Sequence, residues 1–282
     1  MKTLKTSLFA LLFVSLLISC SKEGDTIINN YNGSGDTKAP TRKLMKSYGL
    51  ADTSQTINFT YLNNDLTKLK ELISVVSGVP SAKYVILYNS SNVVEGYQSY
   101  TMPANTLNEQ GTFKLDSKGR IIEVIKRKIN GDTIGINTFG YTNLDYQPVS
   151  FTHFEKSVNR ISKMEFMSYD NNGNLTRLTS YTNNGTDPIY KSGQVEASSF
   201  SKAINPLNEL HPYLVAVTGS YGFSGQGPLY FSNYFPSSVV EENFKSDGSA
   251  NGASVNTYMV EADADNYLTS LSAGSQKIII KY

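Results

Sequence analysis

A repeat dominates the sequence. From Leu44 onward, alternating apolar and polar residues lead into a short turn of Asn, Asp and Gly, the alternation resumes, and the pattern returns. Five copies stand out: Ile57–Tyr61 before Asn63-Asn64-Asp65, Tyr84–Tyr88 before Asn89–Asn92, Phe113–Leu115 before Asp116–Arg120, Phe139–Tyr141 before Asn143–Asp145, and Met164–Tyr169 before Asp170–Asn174. After the last four turns the first apolar residues are Val94, Ile121, Pro148 and Leu175, spaced 27 apart. Alternation with period two puts successive side chains on opposite faces of a strand. A unit of this length holds two strands of about eight to ten residues and two turns, so each repeat is a hairpin. The array is an antiparallel up-and-down meander, all-β in class. Gly119, Gly173 and the turn asparagines supply the positive φ that tight hairpins need.

A meander of ten or more strands must hide one face from water. Ile57, Phe59, Ile86, Ile122, Val124, Met164 and Phe166 form the expected inner set, and each would forgo about 1.5–3 kcal/mol if left wet. This predicts a strongly curved sheet or half-barrel whose concave side is covered by an irregular segment. That segment is 183–238, where the alternation weakens and Pro and Gly accumulate. Within it Asn205 and Pro206 open a short helix bearing Leu207, Leu210 and Leu214, and Tyr221–Ser238 reads as a long aromatic, Gly-rich loop. Strand signals return at 255–260, 267–271 and 277–282. The abundance of Tyr (19) and Phe (13) without Trp suits such a sheet.

The N-terminus carries a different signal. Lys2 and Lys5 precede an apolar run from Leu8 to Ile18, too short for a spanning helix and shaped like an export signal. It ends in Leu17-Ile18-Ser19-Cys20, which resembles the lipobox of bacterial lipoproteins, in which the cysteine is acylated and becomes the new N-terminus. The expected organisation is a signal peptide over 1–19, a lipidated and polar tether over 20–42, and one β domain over 43–282. Cys20 is the only cysteine, so no disulfide forms within the chain and no thiol remains for catalysis. The tract Ser21–Asp25 resembles those that send some lipoproteins to the cell surface, so the expected location is the outer membrane, lipid-anchored and surface-exposed.

Charge and composition narrow the function classes. The net charge is +1, and the one basic run, Lys126-Arg127-Lys128, is split by alternation between two sheet faces, so nucleic acid is not an expected partner. The chain has two histidines: His153 lies in strand-like sequence and His211 precedes Pro212. Neither arrangement predicts a general base, and the expectation is a non-enzyme without cofactor or metal. The turns at Asp170–Asn174 and Glu261–Asn266 have alternate oxygen ligands, but position twelve, Tyr181 counted from Asp170 and Gly274 counted from Asp263, is not acidic, so hairpin turns explain them better than calcium. The ligand-binding candidates are Tyr221, Phe223, Tyr230, Phe231, Tyr234 and Phe235, rings that either stack on a sugar or plug the sheet. The expected partners are the membrane, through the lipid, and a polysaccharide or envelope protein. A transmembrane barrel is the rival architecture. Against it, Lys114, Glu123, Lys126, Glu165 and Arg177 interrupt the strands.

The unit Tyr169-Asp170-Asn171-Asn172-Gly173-Asn174-Leu175 and its relative Leu115–Ile121 resemble YD-repeat hairpins. Together with the lipobox, Asn205-Pro206-Leu207 and the closing aromatic strand, residues 43–282 resemble a family of uncharacterised Gram-negative, Bacteroidota-type outer-membrane lipoproteins with a porin-like domain. The resemblance implies a strongly curved sheet interrupted by the Asn-Pro segment, and it carries no catalytic residues.

Overall fold

The computed structural model describes residues 43–62, 65–142, 147–183, 185–206 and 231–282. Among the described residues seventeen strands form one antiparallel sheet. They are β1 (Ser47–Leu50), β2 (Gln55–Leu62), β3 (Asp65–Val76), β4 (Val79–Tyr88), β5 (Val94–Thr101), β6 (Thr106–Leu115), β7 (Ile121–Lys128), β8 (Thr133–Tyr141), β9 (Pro148–Glu155), β10 (Arg160–Tyr169), β11 (Leu175–Thr182), β12 (Tyr190–Ile204), β13 (Tyr234–Phe244), β14 (Ala250–Thr257), β15 (Met259–Ala262), β16 (Leu268–Ala273) and β17 (Gln276–Lys281). Each strand pairs with the next except β14 and β15, and β1 pairs with both β2 and β17. The sheet is therefore a nearly closed barrel, more curved than a half-barrel, with one seam. At the seam the run 250–262 changes partner at Tyr258: β14 bonds to β13, and β15 bonds to β16.

The barrel has two unlike rims. On the upper rim the turns at Asn89, Asp116, Asp170 and Asp263 share one construction. The side-chain oxygen of the first residue accepts the backbone N–H groups two and four residues on, at 2.8–3.0 Å. The fourth residue, Asn92, Gly119, Gly173 or Asn266, has φ between 58° and 78°, the conformation an Asx-type turn needs and Gly or Asn tolerates. After each of these turns the ladder slips by one residue, leaving Glu95, Ile122, Thr176 and Thr269 as the extra residues of bulges. The turn between β8 and β9 is followed by the same slip at Val149. At the turns opened by Asn89, Asp116 and Asp170 the flanking residues then both point inward, in the pairs Tyr88 with Val94, Leu115 with Ile121 and Tyr169 with Leu175. The bulge corrects one expectation: Ile121, not Ile122, is fully buried.

Several tyrosines fasten this rim. Tyr61 donates to Met45 O (2.6 Å), Tyr88 to Leu69 O (2.8 Å), Tyr169 to Pro148 O (2.9 Å) and Tyr282 to Leu268 O (3.0 Å). Each ring lies in the apolar interior while its hydroxyl satisfies a rim carbonyl. Pro148 sits at the first position of β9, where a missing N–H is tolerated.

The interior is mostly apolar, with buried polar groups confined chiefly to its lower half and rims, and the outer wall is polar. Ile57, Phe59, Ile86, Val124, Met164 and Phe166 are buried as expected, joined by Leu69, Leu175, Leu178, Val195, Phe235 and Val239. Outside, Lys163 pairs with Glu165 (2.6 Å) and Arg177 with Glu196 (3.3 Å), all solvent-accessible. This polarity is the reverse of a transmembrane barrel, whose outer band is apolar and whose lumen is wet. The basic run splits as alternation requires: Lys126 is buried within and Arg127 faces out.

The composition places an irregular stretch at 183–238, yet β12 occupies Tyr190–Ile204 and β13 begins at Tyr234. The interruption between strands narrows to 205–233. Ser and Gly in β12 weaken its sequence signal, but Gly193 faces the interior where Ser180 leaves no room for a larger residue. The helix expected after Pro206 lies outside the described residues.

Candidate functional site

The two feet of the 205–233 interruption are bolted to the turn between β10 and β11. Asn205 N donates to Asn233 O (3.0 Å) and Asn205 Nδ2 to Ser232 O (2.9 Å), so the two ends hold each other. Leu175 N donates to Ser232 Oγ (2.9 Å) and Tyr234 N to Asn174 Oδ1 (2.8 Å). Asn233 reaches the same turn through its N–H to Gly173 O (3.4 Å) and its side-chain amide to Asn172 O (2.5 Å). Gln147, from the preceding upper turn, also donates to Gly173 O (2.9 Å). Asn174 is buried and binds Asp170 through Nδ2 (2.9 Å), so one amide locks the turn and the foot together.

A pocket of about 590 Å³ opens beside this joint, lined by Asp170, Asn172 and Asn174 from the turn, Phe200–Lys202 and Ile204 from the end of β12, Tyr234 from β13 and Asn266 from the turn between β15 and β16. Its volume lies within the range of small-molecule sites. The lining joins two aromatic rings to amide and hydroxyl groups, and Lys202 lies opposite Asp170 in charge. Such a mixture offers stacking surface and hydrogen bonds in both directions.

The sequence-predicted residues fall in several places. Phe231 and Phe235 are buried, Phe231 packing on Phe166 at 4.7 Å between ring centroids and Phe235 edge-on to Tyr258 at 5.9 Å. They serve the core. Tyr234 is partly exposed and lines the pocket. Tyr221, Phe223, Tyr230, His211 and Cys20 lie outside the described residues. The pocket's Asn172, Asn174 and Asn266 carry no signal of their own beyond turn chemistry, because what unites them is the adjacency of turns distant in sequence.

Two other polar clusters among the described residues bear on the site. Lys43 Nζ bridges Asp263 Oδ2 (2.7 Å) and Asp265 Oδ2 (2.6 Å) and lies 5.5 Å from the Tyr267 ring centre. Burial pushes the Asp263 carboxyl up, but Lys43 and the turn N–H groups outweigh it and hold the group below the usual carboxylate range. Thus the described chain begins pinned to the upper rim. Inside the lower half of the barrel, Tyr97 donates to Glu109 and lies over Gly111, while Lys126 is buried nearby and His153 Nδ1 is hydrogen-bonded to Asn137 Oδ1. Burial lowers Lys126 to about 8, against the opposing pull of Glu109. His153 is lowered to about 3, first by burial and then by the positive charges of Lys126 and Arg160. At neutral pH this imidazole is uncharged.

The fold defines a class: an up-and-down antiparallel sheet curved into a nearly closed barrel, with a core of buried apolar side chains on its inner face. The chain is similar in structure to a porin-like protein from Bacteroides uniformis ATCC 8492, with 14% identity, a TM-score of 0.50 and coverage of 84% of this chain and 97% of that one. It is also similar to a porin-like protein from Bacteroides vulgatus ATCC 8482, with 10% identity, a TM-score of 0.50 and coverage of 85% and 99%. At these identities the likeness is one of fold. No protein-family model matches the chain, and no curated protein matches it.

Proposed function

We propose that this protein is a lipid-anchored component of a bacterial outer membrane, displayed at the surface, that works by binding and not by catalysis. The observation that carries the binding role is the upper-rim pocket, whose aromatic, amide and hydroxyl lining adjoins the joint at Asn174. The lipobox at Leu17–Cys20 supports the anchor. The porin-like proteins that share the fold support an envelope setting, and the polar outer wall suits a barrel held beside the membrane, not within it. Because Phe200 and Tyr234 present rings beside Asn172 and Asn266, the ligand class favoured is a neutral glycan, which matches an accessory role in nutrient uptake.

The test is thermal unfolding of the full chain against a panel of polysaccharides. A glycan that raises the melting temperature of the natural protein, but not of Tyr234→Ala, supports the reading. Tyr234 engages the joint through its backbone N–H, so the change spares that bond. No rise with any glycan removes the glycan reading and leaves an envelope protein as the ligand to seek.

A further inference from the structure

Taking the upper-rim pocket as a binding site, the reading on which this inference rests, we infer that Lys43 is a positioning residue for it: the ammonium group holds the turn between β15 and β16, and that turn holds one wall of the pocket in place. Ile204 and Asn266 both line the pocket. Ile204 N donates to Asn266 O (2.7 Å), and Ile204 pairs with Tyr267 in an isolated bridge. The contact is a single bridge, not a ladder. β12 reaches it through a bulge, in which Phe200 faces Pro236 and Ile204 faces Tyr234, so that Ser201, Lys202 and Ala203 stand opposite Phe235 alone. The placing of the Ile204 end therefore depends on where the turn at 263–267 sits.

Three of the described upper-rim turns begin with Asp, and each must settle both carboxyl oxygens. Oδ1 closes the turn by accepting the N–H groups two and four residues on. In two of them Oδ2 is held from within: Arg120 donates to Asp116 (2.7 Å) and Asn174 to Asp170 (2.9 Å), each the fifth residue of its turn. In the third the fifth residue is Tyr267, whose buried ring packs edge-on against Tyr282 at 5.4 Å between centroids. Lys43, 220 positions away in sequence, supplies the missing donor at 2.7 Å from Asp263 Oδ2. The same ammonium lies 2.6 Å from Asp265 Oδ2, and so draws together two carboxylates that would otherwise repel. Lys43 can hold the turn because the backbone beside it is fixed: Met45 is buried, its O accepts from Tyr61 (2.6 Å), and Lys46 N donates to Lys281 O (2.7 Å). A charge-assisted bond from a distant residue thus does for Asp263 what a local residue does for Asp116 and Asp170. Asn266 takes its place in the pocket wall, with φ 64°, from the turn so held.

Hydrogen exchange of the full chain reads the two walls of the pocket separately. The Ile204 N–H reports the Asn266 wall, and the Tyr234 N–H, bonded to Asn174 Oδ1, reports the opposite one. In Lys43→Met the Ile204 amide is expected to exchange about two- to fivefold faster, the effect of one accessible ion pair, with Tyr234 exchange and the melting temperature unchanged. Asp265→Ala, which spares the bonds to Asp263 Oδ1, should act in the same way, and Lys43→Arg, which keeps the charge, should restore the natural rate. Salt at about 1 M should bring the natural protein to the rate of Lys43→Met. A glycan that raises the melting temperature of the natural protein should bind Lys43→Met more weakly by a similar factor. Unchanged Ile204 exchange overturns the inference, as does a rise shared equally by Ile204 and Tyr234, or equal glycan affinity in the natural protein and Lys43→Met. If no glycan binds the natural protein, the binding reading fails, and Ile204 exchange alone decides whether Lys43 holds the wall.

Discussion

Asn174 does the work of two residues. Its Oδ1 accepts from the Tyr234 backbone and its Nδ2 donates to Asp170, and it is buried. Asn174→Ala leaves the Tyr234 N–H without its acceptor, and urea denaturation should report a loss of about 1–3 kcal/mol. Lys126 is the opposite case, a buried cation that the fold tolerates. Its value of about 8 against an ordinary 10.5 corresponds to a penalty on the order of 3 kcal/mol at pH 7. Lys126→Met is therefore expected to stabilise the protein at pH 7. Between pH 8 and 10.5 the unfolded chain binds the extra proton, so the natural protein gains stability as pH rises and the advantage of the variant shrinks. His153 gives the acid counterpart. With a folded value of about 3 and an unfolded one near 6.5, the unfolded state holds more protons between them, and stability falls as pH drops below 6.5. Denaturation at pH 6.5 and pH 5 should show that loss in the natural protein and less of it in His153→Gln.

The element that recurs is a composite: an Asp or Asn whose side chain closes the turn, a residue of positive φ and a bulge, preceded at Asn89, Asp116 and Asp170 by a tyrosine or leucine. Much of this was legible in the sequence because turn chemistry is local. Asp116 to Arg120 and Asp170 to Asn174 announce their hairpins, and the spacing of Val94, Ile121, Pro148 and Leu175 announces the unit. The bulge was not legible, because it shows only when two strands are laid side by side, which is why Ile121 displaced Ile122 from the core. Nor was the pocket, whose lining comes from three upper-rim connections and depends on Asn174 reaching Tyr234, 60 residues away. Gly173 and Gly248 test what a turn is used for. Both have positive φ, 75° and 81°, but a Cβ on Gly173 would meet Asn233 Nδ2 at 2.5 Å and one on Gly248 meets nothing within 4 Å. Gly173→Ala should cost more stability than Gly248→Ala by about 1 kcal/mol or more, with the glycan response lost only in the first.

Across the whole molecule, closure is the property with no local signature. Four residue pairs join β1 to β17, linking Ser47–Leu50 to Ile278–Lys281, and Lys46 N donates to Lys281 O (2.7 Å). A chain stopped after Ala273 lacks β17, leaves β1 and β16 unpaired on one side and uncovers the interior beside Leu271. It should lose its cooperative thermal transition by circular dichroism, whereas Val255→Lys on the seam should melt like the natural protein. The double pairing of β1 also governs how the molecule bears force. The described chain begins at the upper rim and runs down β1 between two partners. Tension applied at that end and directed away from the barrel pulls β1 along its own axis, so the bonds to β2 and β17 are sheared together and share the load. A strand pulled sideways from a free edge would give up its bonds one at a time. A barrel fastened by this end is built to hold under drag.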